Sequence, residues 1–254
     1  MTLPALPAGW VLDARLSVGS TNEEAKALAR AGAREGAVVW ALEQTAGRGR
    51  RGRSWASPSG NLYLSLVLRP EGRPSEAAGA GLAAAVAAAK TVSSLLPEGA
   101  AVALKWPNDV LVGGRKIAGI LPEAAVLPDG RVEWVVLGIG VNLVSHPAET
   151  PYPATNLAAE GSGPVAIETA LERLAQAFDH WLRRWREEGF GPIRSAWLAL
   201  ALGLGQPIEV RLESGTMAGR FVDLDGEGAL LLEIENGHRR RVAAGEVFFP
   251  GLGE

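Results

Sequence analysis

The run Gly47-Arg48-Gly49-Arg50-Arg51-Gly52-Arg53 limits the fold through what it leads into. Its glycines match the spacing of a dinucleotide loop, G-x-G-x-x-G, and an apolar strand, GAVVWALEQ at residues 36–44, precedes it. A dinucleotide loop must pass straight into a helix, because the helix N-terminus supplies the N–H groups and dipole that hold the pyrophosphate. Here the continuation is SWASPSGN, in which Pro58 and Gly60 interrupt any helix, and a second apolar strand, NLYLSLVLR at 61–69, follows. The segment therefore reads as strand, loop, strand, and the dinucleotide fold is disfavoured.

Three readings of the loop stay open on its own residues: a nucleic-acid arm, a solvated surface loop, or a lid. In the third, glycines give freedom to move and arginines close over the phosphate or carboxylate of a small ligand. The formal net charge of −3 gives no general attraction to polyanions, so any phosphate binding must come from this local cluster.

The rest of the chain alternates strands and helices. A strand is expected over Trp10–Leu16, and Ser20-Thr21-Asn22-Glu23 has the pattern of a capping box opening a helix that stops at Gly32. A long helix is expected over Ser75–Leu96 and a strand around Ala101–Trp106. Residues 110–144 read as a meander, with turns at Gly113-Gly114 and Pro128-Asp129-Gly130. Helices follow at about 167–188 and 193–202, and the stripe Leu171, Leu174, Phe178, Trp181, Trp185 reads as core. From Gly203 the pattern changes to short strands and tight turns, which implies a small antiparallel barrel. The expected division is 1–203 and 204–254.

With 47% hydrophobic residues the chain can bury a conventional core and reads as a soluble globular protein. It has no cysteine, which removes disulfides, thiolate zinc sites and cysteine nucleophiles. His146, His180 and His238 are far apart in sequence and read as ordinary surface or helix-face residues. The first residues, MTLPALPAGW, lack the layout of a signal peptide, and the Ala-rich stretch Ala77–Ala89 reads as too short and too weakly apolar to span a bilayer. A cytoplasmic address and no membrane partner are the expectations.

Three further motifs bear on chemistry. Lys105-Trp106-Pro107-Asn108-Asp109 sets a cation, an aromatic ring, an amide and a carboxylate at a strand end. Arg115-Lys116-Ile117-Ala118-Gly119-Ile120-Leu121 puts Lys116 on a strand beside small residues that allow close approach of a ligand. Gly138-Ile139-Gly140-Val141-Asn142 places an amide after two strand glycines. Each alone is as well explained by structure: a surface lysine, a turn, a crowded sheet contact.

Taken together and in this order, Ser20-Thr21-Asn22, the Gln44–Arg53 loop, Trp55, SGNLYLSL, KWPNDV, RKIAGIL, GIGVNL and the terminal GALLLE resemble the biotin protein ligases. The resemblance implies an α+β fold: a mixed, largely antiparallel sheet packed with helices, as in class II synthetases, plus a small C-terminal SH3-like β-barrel. It implies an enzyme that joins biotin to ATP, with magnesium, and passes the biotinyl group to a lysine of a biotin carboxyl carrier protein. A lipoate-ligase-like acyl-adenylating enzyme is the alternative. The implied catalytic groups are Lys116, Arg48 and Arg50. Ser20, Thr21, Asn22, Gln44, Gly47, Arg48, Arg50, Lys116 and Gly119 are the implied biotin site. Arg48, Arg50, Trp55, Asn108, Asp109, Lys116 and Asn142 are the implied ATP site, with Trp55 stacking on adenine and Asn142 reading its edge. Magnesium is expected through the ATP phosphates, with Asn108 and Asp109 as its protein ligands. Fewer than twenty residues precede Ser20, so no DNA-binding domain and no specific DNA partner are expected. A homodimer is the one oligomer considered.

Overall fold

The computed structural model describes residues 4–70, 72, 75–150 and 152–249. Its first sheet has seven strands, in the order β1-β2-β3-β7-β6-β5-β4. These are β1 (Val11–Val18), β2 (Ala37–Gln44), β3 (Leu62–Leu68), β4 (Val102–Lys105), β5 (Asp109–Val112), β6 (Arg115–Val126) and β7 (Val132–Val141). Only β1 and β2 run parallel; the other neighbours are antiparallel. The meander forms as expected, because Gly113 and Gly114, at φ +54° and +78°, supply the left-handed pair that a two-residue hairpin needs.

Alternation along the strands divides the burial between two faces. Val38, Trp40, Leu64 and Leu66 point into the main core with α2 (Ser75–Leu95), α3 (Ile167–Glu188) and α4 (Gly191–Leu198). Val39, Val67, Trp134 and Val136 point the other way, against Ala25 and Ala29 of α1 (Thr21–Arg30). Leu171, Leu174, Phe178 and Trp181 of α3 are buried, as the stripe implied, with Trp185 half-buried at its end. α4 stops at Leu198, short of the expected 202, and Ala199–Leu202 instead pairs with β4 through Leu104 N–H to Leu200 O and Leu202 N–H to Leu104 O.

Two expectations are corrected. Ser20 is the N-cap of α1, but its hydroxyl makes no capping hydrogen bond, and the Glu23 carboxylate turns away to Lys26 and Arg48. The pattern marked the helix start correctly while its polar groups took other partners. The Ala-rich stretch belongs to a helix whose segment Glu76–Leu95 is long and apolar enough, by length and composition, to cross a bilayer. It is the central helix of the core, with 72% of its most apolar window buried between the sheet and α3.

The second sheet is antiparallel, in the order β11-β10-β9-β8-β12, and forms the SH3-like unit. Its strands are β8 (Pro207–Leu212), β9 (Gly215–Leu224), β10 (Leu230–Glu233), β11 (Arg239–Val242) and β12 (Glu246–Phe248). It packs against the strand end that carries KWPND, where Trp106 Nε1–H donates to Gly228 O at 3.1 Å.

Candidate active site

The arginine loop, the KWPND turn, the β6–β7 glycines and the Gly245–Glu246 corner of the second sheet enclose one cavity on the α1 side of the first sheet. Glycine makes room for it. A Cβ on Gly140 would lie 2.6 Å from Trp55 Nε1, and one on Gly119 would lie 3.0 Å from Trp55 Cζ3, so the indole lies flat over backbone that no other residue would leave free. A Cβ on Gly138 would overlap the Asn22 amide. The two glycines of GIG thus admit one polar and one aromatic side chain to the same sheet face. Trp55 Nε1 is buried there without a hydrogen-bond acceptor.

One part of the lining is neutral and polar. Thr21 donates from its backbone N–H, at 2.8 Å, and from its hydroxyl, at 3.1 Å, to Gln44 Oε1, while Gln44 Nε2 donates to Ser57 Oγ. Ser65, on the same face of β3, donates to Asn22 Oδ1 at 2.6 Å and lies 2.8 Å from the Thr21 hydroxyl. Asn22 Nδ2 in turn donates to Glu123 Oε2 at 2.7 Å. Ser20, Thr21 and Asn22 are all buried, so this network is a preorganised patch of donors and acceptors that a polar, uncharged group could enter.

The other part is cationic. Lys116 is fixed by its own backbone, which bonds to Pro153 O and to the Thr155 N–H, and its Nζ lies 2.6 Å from Asp109 Oδ1 and 5.3 Å from the Trp55 ring centre. Arg50 donates to Asn108 Oδ1 at 3.1 Å and to Gly245 O at 3.3 Å, and burial holds its guanidinium below the usual arginine range. Lys105 is 3% exposed and, among the described residues, has no carboxylate within ion-pair distance. Its Nζ sits 3.7 Å from the centre of the Tyr152 ring and 5.4 Å from that of Phe248. Burial pushes its pKa down, offset in part by Asp109 and Glu246. A buried ammonium resting on aromatic faces is suited to receive an anion.

Of the implied site residues, Ser20, Thr21, Asn22, Gln44, Arg48, Arg50, Trp55, Asn108, Asp109, Lys116 and Gly119 all line this cavity. Arg48 lies at its edge: its side chain is 58% exposed and pairs with Glu23, whereas Arg50 reaches inside. Gly47 and Asn142 do not line it. Gly47 is wedged against Trp55 O and Ser57 Oγ, and Asn142 Nδ2 donates to Thr155 O beneath the sheet. Lys105, Ser57, Glu123 and Glu246 were not among the implied residues. Lys105 stood inside a quoted motif, but nothing in its spacing tells that it lacks a counter-charge.

The loop is not a lone basic patch. Arg48 pairs with Glu23, and Arg53 grips Glu246 with two bonds of 2.7 and 2.6 Å. The hydrogen bonds from Arg53 hold the Glu246 carboxyl below the usual carboxylate range. For a metal, no group of three or more His, Asp or Glu suited to an ion occurs among the described residues. Oxygen donors beside the cations include Asn108, Asp109 and Glu246, the last of them engaged by Arg53.

Residues 17–142 match the profile described as the biotin/lipoate A/B protein ligase family, and residues 203–249 match the biotin protein ligase C-terminal domain. The chain is 44% identical over 237 residues to a biotin–[acetyl-CoA-carboxylase] ligase of Paracoccus denitrificans, covering 91% of this chain and 98% of the relative. It is 36% identical to the enzyme of that name from Mycobacterium tuberculosis, over 94% of this chain and 90% of the relative. Among solved structures it is similar to a biotin protein ligase from Aquifex aeolicus in complex with biotin and ATP. The TM-score there is 0.76 at 27% identity, covering 93% of this chain and 97% of the other.

Proposed function

Because the chain belongs to the biotin protein ligase family, we propose that the cavity under the arginine loop is where it activates biotin. The enzyme joins biotin to ATP as biotinyl-5′-AMP and transfers the biotin to a lysine of a biotin carboxyl carrier protein. In the first step a biotin carboxylate oxygen bonds to the α-phosphorus and the bond to the β-phosphate bridging oxygen breaks, releasing pyrophosphate. In the second, the carrier amine bonds to the biotin carbonyl carbon and AMP leaves. No enzyme nucleophile is required, so catalysis is alignment and charge stabilisation.

The observation that carries this assignment of residues is the meeting, in one cavity, of a neutral polar patch and three convergent cations. Biotin's ureido head has one acceptor and two donors and no charge, which suits Ser20, Thr21, Asn22 and Gln44. Bringing a carboxylate to a triphosphate costs Coulomb repulsion that nearby cations must offset, and Lys116, Arg50 and Lys105 stand where both anions would lie. Lys116 would exchange Asp109 for the biotin carboxylate and α-phosphate, and Lys105 would gain the anion it lacks. Trp55 is the flat face for adenine. Asn142, bonded to Thr155, would reach the base edge only if that segment shifts.

Magnesium fits as an ion carried by the nucleotide. Such ions are held by one or two carboxylates and substrate phosphates, and Asp109 with Asn108 supplies that much oxygen. When bound, the ion would neutralise phosphate charge beside the same cations. Substrates of this kind, ATP and an unmodified carrier, place the activity in the cytoplasm. The test is direct. Incubation with biotin, ATP, magnesium and a biotin carboxyl carrier domain should label one lysine of the carrier, read by streptavidin binding. Equal labelling with lipoate in place of biotin would reassign the substrate.

A further inference from the structure

A chain of alternating charge runs from the first sheet to the arginine loop. Lys26 Nζ lies 2.8 Å from Glu123 Oε1 on β6 and 2.8 Å from Glu23 Oε1 on α1. Arg48 Nη1 approaches the same Glu23 oxygen at 2.6 Å. The Lys26 side chain is 10% exposed and the Arg48 side chain 58%, with Glu123 and Glu23 in between, so this chain is rooted at Lys26 and opens outward to Arg48. Without Arg48 the group holds two carboxylates against one ammonium, a net −1 in a half-buried place; with it the group is neutral. Neutralising Lys26 needs only Glu123, so Glu23 is the surplus acid. The Lys26 hydrogen bond also holds the Glu23 carboxyl below its usual range, which keeps it charged.

We propose that Glu23 is a positioning residue: it docks Arg48 and so sets the closed position of the arginine loop over biotin, with the buried Lys26–Glu123 pair as its anchor. This rests on the reading of the cavity as the biotin site. The same Glu123 carboxylate holds Asn22 through its other oxygen, so the polar patch and the loop dock share one support. An isolated exposed ion pair contributes little, but here one partner is already immobilised, so less side-chain entropy is lost when the second arrives.

The experiment is a double-mutant cycle with Glu23→Gln and Arg48→Gln, both at exposed or half-exposed side chains that the core does not need. Each single change should raise the KM for biotin in biotin-dependent ATP–pyrophosphate exchange by about two- to tenfold, and in Glu23→Gln, whose side chain does not line the cavity, kcat at saturating biotin should be unchanged. The double variant should be no worse than the more affected single one. Tryptic cleavage after Arg50, Arg51 and Arg53 should also be faster in Glu23→Gln than in the unaltered protein. Additive KM effects, or unchanged cleavage, would overturn the proposal. An unaltered protein that shows no biotin-dependent exchange would instead overturn the functional reading, while the cleavage comparison would still decide whether Glu23 docks the loop.

Discussion

Two lysines in one cavity stand in opposite electrostatic positions. Lys116 has the Asp109 carboxylate at 2.6 Å, whereas Lys105, with no carboxylate at ion-pair distance among the described residues, rests on the faces of Tyr152 and Phe248. Lys116→Ala should cut adenylate formation by about one to two decades, the cost of roughly 1.5–3 kcal/mol for a lost charge-assisted contact, without unfolding the protein. Single-turnover formation of biotinyl-AMP reads it directly. Lys105→Met should separate stability from function: removing a desolvated ammonium should raise the melting temperature of the free protein, while the KM for ATP rises about tenfold. A lower melting temperature with unchanged KM would make Lys105 a structural group. The sequence singled out Lys116 through its motif and the resemblance, but not Lys105. A buried cation is recognised by what is missing around it, and Tyr152 and Phe248 come from distant segments. Asn142 shows the converse, since its motif was legible while its hydrogen bond to Thr155 was not.

The arginine loop is an element whose ends, but not whose state, could be read from sequence. Strand, loop, strand and the broken helix at Pro58 and Gly60 follow from local rules. That its arginines would repel one another in the free protein does not follow, because Glu23 and Glu246 arrive from α1 and β12 to pair with two of them. Among the described residues only Arg51, at φ +54°, takes a left-handed backbone without being glycine. The Arg53–Glu246 pair ties the loop to the second sheet, and its pH dependence has a definite sign. The Glu246 carboxyl lies below its usual 4.5 in the folded protein, so its stabilising contribution is present above about that pH and is lost as pH falls through the lowered value. Hydrogen exchange of loop amides, corrected for intrinsic rates, should therefore show unchanged protection while the pH stays above the usual carboxylate range and progressive loss as it falls below that range. Glu246→Gln should show the weaker protection at every pH. Equal protection in both proteins would mean that the tie does not hold the loop.

At the scale of the whole molecule, hydrophobic alternation and turn chemistry were enough to predict the strands, the meander over 110–144 and a small antiparallel unit, because each β-strand carries its own periodicity, while the mixed sheet came from the resemblance. The order β1-β2-β3-β7-β6-β5-β4 was not legible, since strand neighbours depend on how α1 and α2 cross the two faces. Nor was the use of α2, whose apolar composition fits a bilayer as well as a core until α3 and the sheet are seen to cover it. What the assembled fold achieves is convergence: α1, the loop, two hairpins and a corner of the second sheet bring a polar patch and three cations to one face, over two glycines. The measurement that tests this account most directly is exchange of labelled pyrophosphate into ATP by the purified protein. Exchange should require biotin and magnesium together and should fall by about one to two decades in Lys116→Ala. Exchange without biotin, or equally fast with lipoate, would contradict it.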